Sequence, residues 1–345
     1  MVKIRSKTIL PLIQGGMGVG VSLSRLAGNV ALNNCMGVIS TAQIGFRDFS
    51  KRSQFEKNID ALKEEIKKAR EISKGNGMIA INAMVAGTDY KQMITTAVES
   101  GIDAIISGAG LPLSLPEIVG DADVALAPIV SSAKALNLIL RAWQKKAKRL
   151  PDFIVIEGFK AGGHLGFSKK DIATGNIQPL EDILKDCLDL LRQKELDIPV
   201  FVAGGIYDKE DIKHFMDLGA SGVQMATRFI ATDECDASDA FKQVFVNASK
   251  DDIDFVISPV GLDGRCINTK FTKALKERKP DIVKCTNCLI PCNYPDTPYC
   301  ISQALVNAVN GDIENGLVFS GVNGYRITEI VPVKQLIEEL MEDYL

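Results

Sequence analysis

Short, nearly continuous apolar runs alternate along the chain with longer stretches whose apolar residues recur every three or four positions. Eight runs stand out: Leu10 to Gln14, Met36 to Ser40, Met78 to Met84, Asp103 to Ser107, Val124 to Pro128, Phe153 to Ile156, Pro199 to Ala203 and Gly222 to Met225. Their continuity is what strands buried on both faces require. The stretches between them have helical spacing. Phe55, Ile59, Leu62, Ile66 and Ala69 share one helix face behind a Ser53/Glu56 capping box. Further helices are predicted from a Ser22 cap to Leu32, from Tyr90 to Glu99, from a cap at Ser131 or Ser132 to Lys148, from Leu180 to Arg192, and from Asp208 to Leu218.

Eight strand–helix units within roughly 225 residues predict a closed (β/α)8 TIM barrel of the α/β class. The rival is a doubly wound sheet using Gly16, Gly18 and Gly20 as a dinucleotide loop. Its glycine spacing is wrong, and Ser40-Thr41-Ala42 stands where an acidic residue should close the second strand. Beyond residue 230 the alternation ends. Ala237 to Ala248 reads as helix, Val256 to Gly264 as extended, and Thr272 to Arg278 as basic helix. A cysteine-rich stretch from Cys285 to Cys300 precedes helices at Ile301 to Val309 and Val333 to Tyr344. Residues 1–230 therefore read as the barrel. Residues 231–345 read as a cysteine-containing helical extension, a lid on the barrel mouth and not an independent domain.

Composition narrows the setting. The chain has 345 residues, 46% hydrophobic and 24% charged, with a net charge of -3. No basic patch suggests nucleic acid. No uncharged apolar run approaches the roughly 18 residues of a membrane span, and the first residues lack the hydrophobic region of a signal peptide. The expectation is a cytoplasmic protein whose eight cysteines are reduced thiols or metal ligands.

Reactive groups in such a barrel come from the C-terminal ends of the strands. The sixth run opens into Glu157-Gly-Phe-Lys-Ala-Gly-Gly-His164, which carries one of only two histidines. An imidazole ordinarily titrates near neutrality, so His164 is the candidate catalytic residue. His214, inside a helix, reads as structural. Gly204-Gly205 and Ala226-Thr227 close the seventh and eighth runs, the usual phosphate cradle of this architecture. The thiols Cys285, Cys288, Cys292 and Cys300 match no ferredoxin run, and structural thiols explain them as well as a metal does; no metal site is assigned. Cys35, Cys187 and Cys235 read as packing residues. Tyr294, Tyr299 and Tyr325 either line a substrate mouth or pack a small subdomain.

Ile13-Gln-Gly-Gly-Met-Gly18, Glu157 to His164, Ala203-Gly-Gly-Ile206 and Gly219 to Phe229 resemble the nitronate monooxygenase (2-nitropropane dioxygenase) family, which includes flavin-dependent enoyl-acyl carrier protein reductases. The resemblance covers residues 8–270. It implies FMN held by Gly16, Met17, Asn82, Glu157, Gly162, Gly163, Gly204, Gly205, Gln224, Met225, Ala226 and Thr227, with His164 as the active-site histidine. Three positions depart from the family's pattern. Glu157 replaces a glutamine and would add a charge at the ribityl contact. Lys160 replaces an acidic residue and would favour an anionic substrate. Ala226 replaces a glycine.

Two reactions follow from the resemblance: oxidation of alkyl nitronates by dioxygen, or NAD(P)H-dependent reduction of an enoyl thioester or quinone. A non-catalytic barrel that binds a phosphorylated ligand is the reading from another class. The partners expected are a small-molecule substrate, NAD(P)H under the second reading, and a second copy of the chain.

Overall fold

The computed structural model describes residues 1–280, 282 and 285–345. Eight parallel strands close into a barrel: β1 (Leu12–Gln14), β2 (Met36–Ser40), β3 (Met78–Met84), β4 (Ala104–Gly108), β5 (Ala125–Val130), β6 (Ile154–Glu157), β7 (Val200–Ala203) and β8 (Gly222–Met225). β8 pairs with β1 to complete the ring.

Alternation along these strands splits one apolar run between two cores. Ile13, Val38, Ala80, Ile106, Ala127, Val155 and Phe201 fill the barrel interior. Leu12, Ile39, Ile79, Ile105, Leu126, Ile156 and Val223 face the surrounding helices. Phe153 and Phe201 meet edge to face inside, with ring centroids 5.7 Å apart. An N-terminal hairpin that the apolar pattern did not predict, Val2–Ile4 with Lys7–Ile9, adds Val2, Ile4 and Ile9 to this interior core.

Most predicted caps form. Ser53 and Glu56 make their capping box, and Ser132 and Asp208 cap the helices Ala133–Ala147 and Lys209–Asp217. Ser22 does not cap the helix Ser24–Leu32. Its hydroxyl binds the Met17 N–H, and the Asp236 carboxylate instead accepts from the N–H groups of Leu23 and Leu26 at 2.8 and 3.2 Å. The buried stripe of the helix Gln54–Ser73 runs through Asn58, Leu62, Ile66, Ala69 and Ser73, leaving Phe55 exposed. Asn58 tolerates burial because its amide accepts from the Gly45 N–H and donates to Asp89.

The part beyond the barrel is not simply helical. β9 (Ile253–Ile257) and β10 (Asp263–Ile267) form an antiparallel hairpin, joined by β11 (Val318–Phe319). Gly163 and His164 pair with Arg265 and Gly264 on the free edge of β10. The loop after β6 is therefore a strand of the extension's sheet. Cys35, Cys187 and Cys235 are buried, as is Cys266 on β10. No helix among the described residues is long and apolar enough to cross a membrane.

Candidate active site

The alternation that fills the barrel also decides which side chains crown it. On β3 the inward series Met78, Ala80 continues to Asn82; on β6 Phe153, Val155 continues to Glu157. On β8 Val223 and Met225 face the helices, so Gln224 faces in. Three polar side chains thus end the interior and border a cavity of about 740 Å³, within the range of small-molecule and cofactor sites. His164 and every residue expected to hold FMN line this one cavity. Gly16 and Met17 come from the β1 end, Gly162, Gly163 and His164 from the β6 loop, Gly204 and Gly205 from β7, and Met225, Ala226 and Thr227 from β8. Tyr294, Tyr299 and Tyr325 do not line it.

At one end the loops after β7 and β8 meet residues of the extension. Gly204 and Gly205 have φ of 97° and 94°, the left-handed region where a side chain is strained. Asn323 donates to the Gly205 carbonyl at 2.6 Å, and the Gly321 N–H donates to Thr227 Oγ1 at 3.0 Å. Thr227 accepts from its own protein, which leaves its O–H to donate outward. The stem of Lys160 lies across Gly205, where an added Cβ would come within 2.7 Å of the Lys160 Cβ. Lys160 therefore sits beside the β7 loop, in the wall of the same cavity.

At the barrel axis, a Cβ at Gly16 would sit 2.5 Å from Asn82 Cβ, so glycine there keeps the floor open. Gln224 Oε1 is buried without a hydrogen-bond partner, an acceptor facing the cavity that a ligand donor would satisfy.

His164 is held by the extension. Its Nε2 lies 2.6 Å from Ser258 Oγ, and Phe319 meets the imidazole edge-on at 5.4 Å. Arg265 fixes the same loop from behind, its Nη1 donating to the carbonyls of Phe159 and Ala161. Ser258, Phe319 and Arg265 were missed in the sequence. The only local signal was the turn chemistry of Pro259-Val-Gly261 and Gly321-Val-Asn-Gly324, which marks turns without saying what they touch.

Burial moves two groups of the loop, His164 and Glu157. It pushes His164 down to about 4 from 6.5, so the imidazole is neutral at physiological pH instead of titrating there. It pushes Glu157 up to about 7 from 4.5, so near neutrality the carboxyl is divided between the charged form expected at this position and a protonated form whose O–H can donate.

The stability consequences have opposite signs. Between pH 4.5 and 7 the folded protein holds the Glu157 proton more tightly than the unfolded chain, so this contribution falls as pH rises. Between pH 4 and 6.5 it holds the His164 proton less tightly, so that contribution rises with pH. The pair should nearly cancel in the unaltered protein. In Glu157→Gln, stability should climb by up to about 3 kcal/mol across this window, and in His164→Ala it should fall by a similar amount. Urea titrations of the ligand-free protein across the window would read this, and parallel profiles in the two variants would contradict the assignment.

Comparison with known proteins gives a consistent picture. Residues 2–343 match the family described as "Nitronate monooxygenase". A protein named "Probable nitronate monooxygenase" from Staphylococcus saprophyticus is 26% identical over 234 residues, 67% of this chain and 59% of the relative. Its namesake from Staphylococcus haemolyticus is 29% identical over 201 residues, 55% of this chain and 50% of the relative. The matched segments thus span between half and three-fifths of those relatives' lengths. FabK from Thermotoga maritima superposes with a TM-score of 0.73 at 24% identity, covering 97% of this chain and 92% of that one, a likeness of fold.

Proposed function

Because this chain belongs to the nitronate monooxygenase family, we propose that it is an FMN-dependent enzyme that oxidises alkyl nitronates with dioxygen to a carbonyl compound and nitrite. The observation that carries the reading is the pairing, in one cavity, of a glycine-lined cradle at one end with a neutral, hydrogen-bonded imidazole at His164.

The residues present fit a flavin. The orphaned Gln224 Oε1, the space above Gly16 and the left-handed Gly204-Gly205 turn are features that a flat, phosphorylated ligand uses. Gly204, Gly205, Ala226 and Thr227 would hold its phosphate, with Lys160 beside them. Asn82, Gln224 and Glu157 would hold its polar edges, with Gly16, Met17, Gly162, Gly163 and Met225 against its faces. The flavin supplies the electron-transfer chemistry.

The chain supplies charge and position. His164 would meet the nitronate, whose negative charge favours the protonated imidazole and draws its proton affinity up from the free-site value. Ser258 fixes the ring's orientation. Residues 231–345 act in this reading as a lid that does not fold alone.

One observation favours the second reading, NAD(P)H-dependent reduction of an enoyl thioester or quinone. The extension contributes Leu262, Leu289, Ile301, Leu305 and Leu317 to the cavity, more apolar wall than a small nitronate needs. Anaerobic mixing separates the two. An alkyl nitronate without pyridine nucleotide is expected to bleach the flavin absorbance. Bleaching by NADH or NADPH but not by nitronate would replace the first reading with the second. A colourless protein that takes up no added FMN would end both.

A further inference from the structure

The thiols of Cys285, Cys288, Cys292 and Cys300 have no part in the proposed reaction, and they differ from the other four cysteines. Cys35, Cys187, Cys235 and Cys266 are buried and behave as small apolar residues. The four in the extension are exposed or half-buried and fall within one short stretch. From Cys285 to Cys300 there is no helix or strand, only an isolated bridge between Leu289 and Gly87. That bridge and the bonds from the Thr88 N–H to the Cys288 carbonyl and from the Ile290 N–H to the Ala86 carbonyl dock the stretch on the loop after β3. Cys288 and Leu289 line the cavity there, as do Ile301 and Ser302 just after Cys300.

One of these sulfurs already has a backbone donor. Asn287 is left-handed, with φ of 50°, and its N–H donates to Cys285 Sγ at 3.3 Å. A backbone donor aimed at a cysteine sulfur stabilises negative charge there.

We propose that Cys285, Cys288, Cys292 and Cys300 form a tetrathiolate metal centre, holding an iron–sulfur cluster or a zinc ion, that fixes this wall of the cavity. As they stand, no three His, Cys, Asp or Glu side chains among the described residues are arranged to hold an ion. The thiols must close on the metal, which the irregular backbone between them permits, with loss of their protons. Such a crosslink supplies order to a stretch that has little regular hydrogen bonding of its own.

The test is metal analysis of the full-length protein, expressed and purified without oxygen. About one zinc per chain, or iron and acid-labile sulfide in roughly equal amounts, is expected, and the two results distinguish the ion from the cluster. In a Cys285→Ser/Cys292→Ser double variant the metal should fall at least about tenfold while flavin content and circular dichroism hold. If that variant does not fold, the unaltered protein still decides. Chelation should make about four further thiols reactive. Metal below roughly a tenth of one equivalent per chain after reconstitution with zinc or with iron and sulfide would overturn the proposal. So would full retention in the double variant, or a thiol count unmoved by chelation.

Discussion

His164→Ala is expected to slow anaerobic flavin reduction by an alkyl nitronate by about 10²–10⁴-fold, the span that positioned acid–base groups usually supply, while FMN stays bound. The two effects separate because the cradle at Gly204, Gly205, Ala226 and Thr227 is built from other strand ends than the loop carrying His164. The imidazole is neutral before substrate arrives, since burial holds it at about 4. An anion beside it favours the protonated form, typically by one to three units, so the group responds to the substrate's charge at the moment of binding. Ser258→Ala tests the orientation component. Without the 2.6 Å contact at Nε2 the ring keeps its place beside Phe319 but not its fixed tautomer. A loss of roughly tenfold, smaller than that of His164→Ala, should follow. Stopped-flow bleaching at saturating nitronate measures both. A rate for His164→Ala equal to the unaltered enzyme would remove the histidine from the mechanism.

Arg265→Ala should cost about 3–5 kcal/mol of folding stability. The residue is 4% exposed, donates to two backbone carbonyls, and lies against the stacked rings of Phe159 and Phe255 at 4.7 and 4.9 Å. Each charged hydrogen bond contributes about 1.5–3 kcal/mol and each ring contact about 0.5–2 kcal/mol. The net is less than their sum, because burying the guanidinium is itself costly. That burial pushes Arg265 down to about 10. Truncation leaves the carbonyls of Phe159 and Ala161 without this donor inside the protein. Arg265→Lys should recover only part of the loss, because an ammonium can meet the carbonyls but lacks the planar guanidinium that lies against the two rings. Denaturant midpoints of the flavin-free variants give the comparison. Unchanged midpoints would show that the loop holds its shape without this anchor.

The barrel was legible because its signal is local. A strand buried on both faces must be apolar throughout, and β2, β3 and β8 lie where the apolar runs of the sequence lie. The same alternation aimed Asn82, Glu157 and Gln224 at the axis. Phe55 and Asn58 show the limit of the method. Periodicity ranks phenylalanine as the inward residue, but Asn58 takes that place because Gly45 and Asp89 meet its amide. The cap of the helix Ser24–Leu32 fails to be legible for the same reason: Ser22 is adjacent in sequence, whereas the Asp236 that supplies the acceptor is adjacent only in space.

The sequence by itself determined the eight-stranded barrel, the strand ends that line its cavity and the histidine among its glycines, because each is written in near-neighbour spacing. Tertiary structure alone decided the state of that histidine. The end of the loop, Gly163 and His164, pairs with a strand made from residues about a hundred positions later in the chain. That docking supplies Ser258, Phe319 and Arg265, and burial shifts Glu157 and His164 away from their ordinary charge. Desolvation depends on what surrounds a group in three dimensions, and no spacing of residues along the chain encodes it.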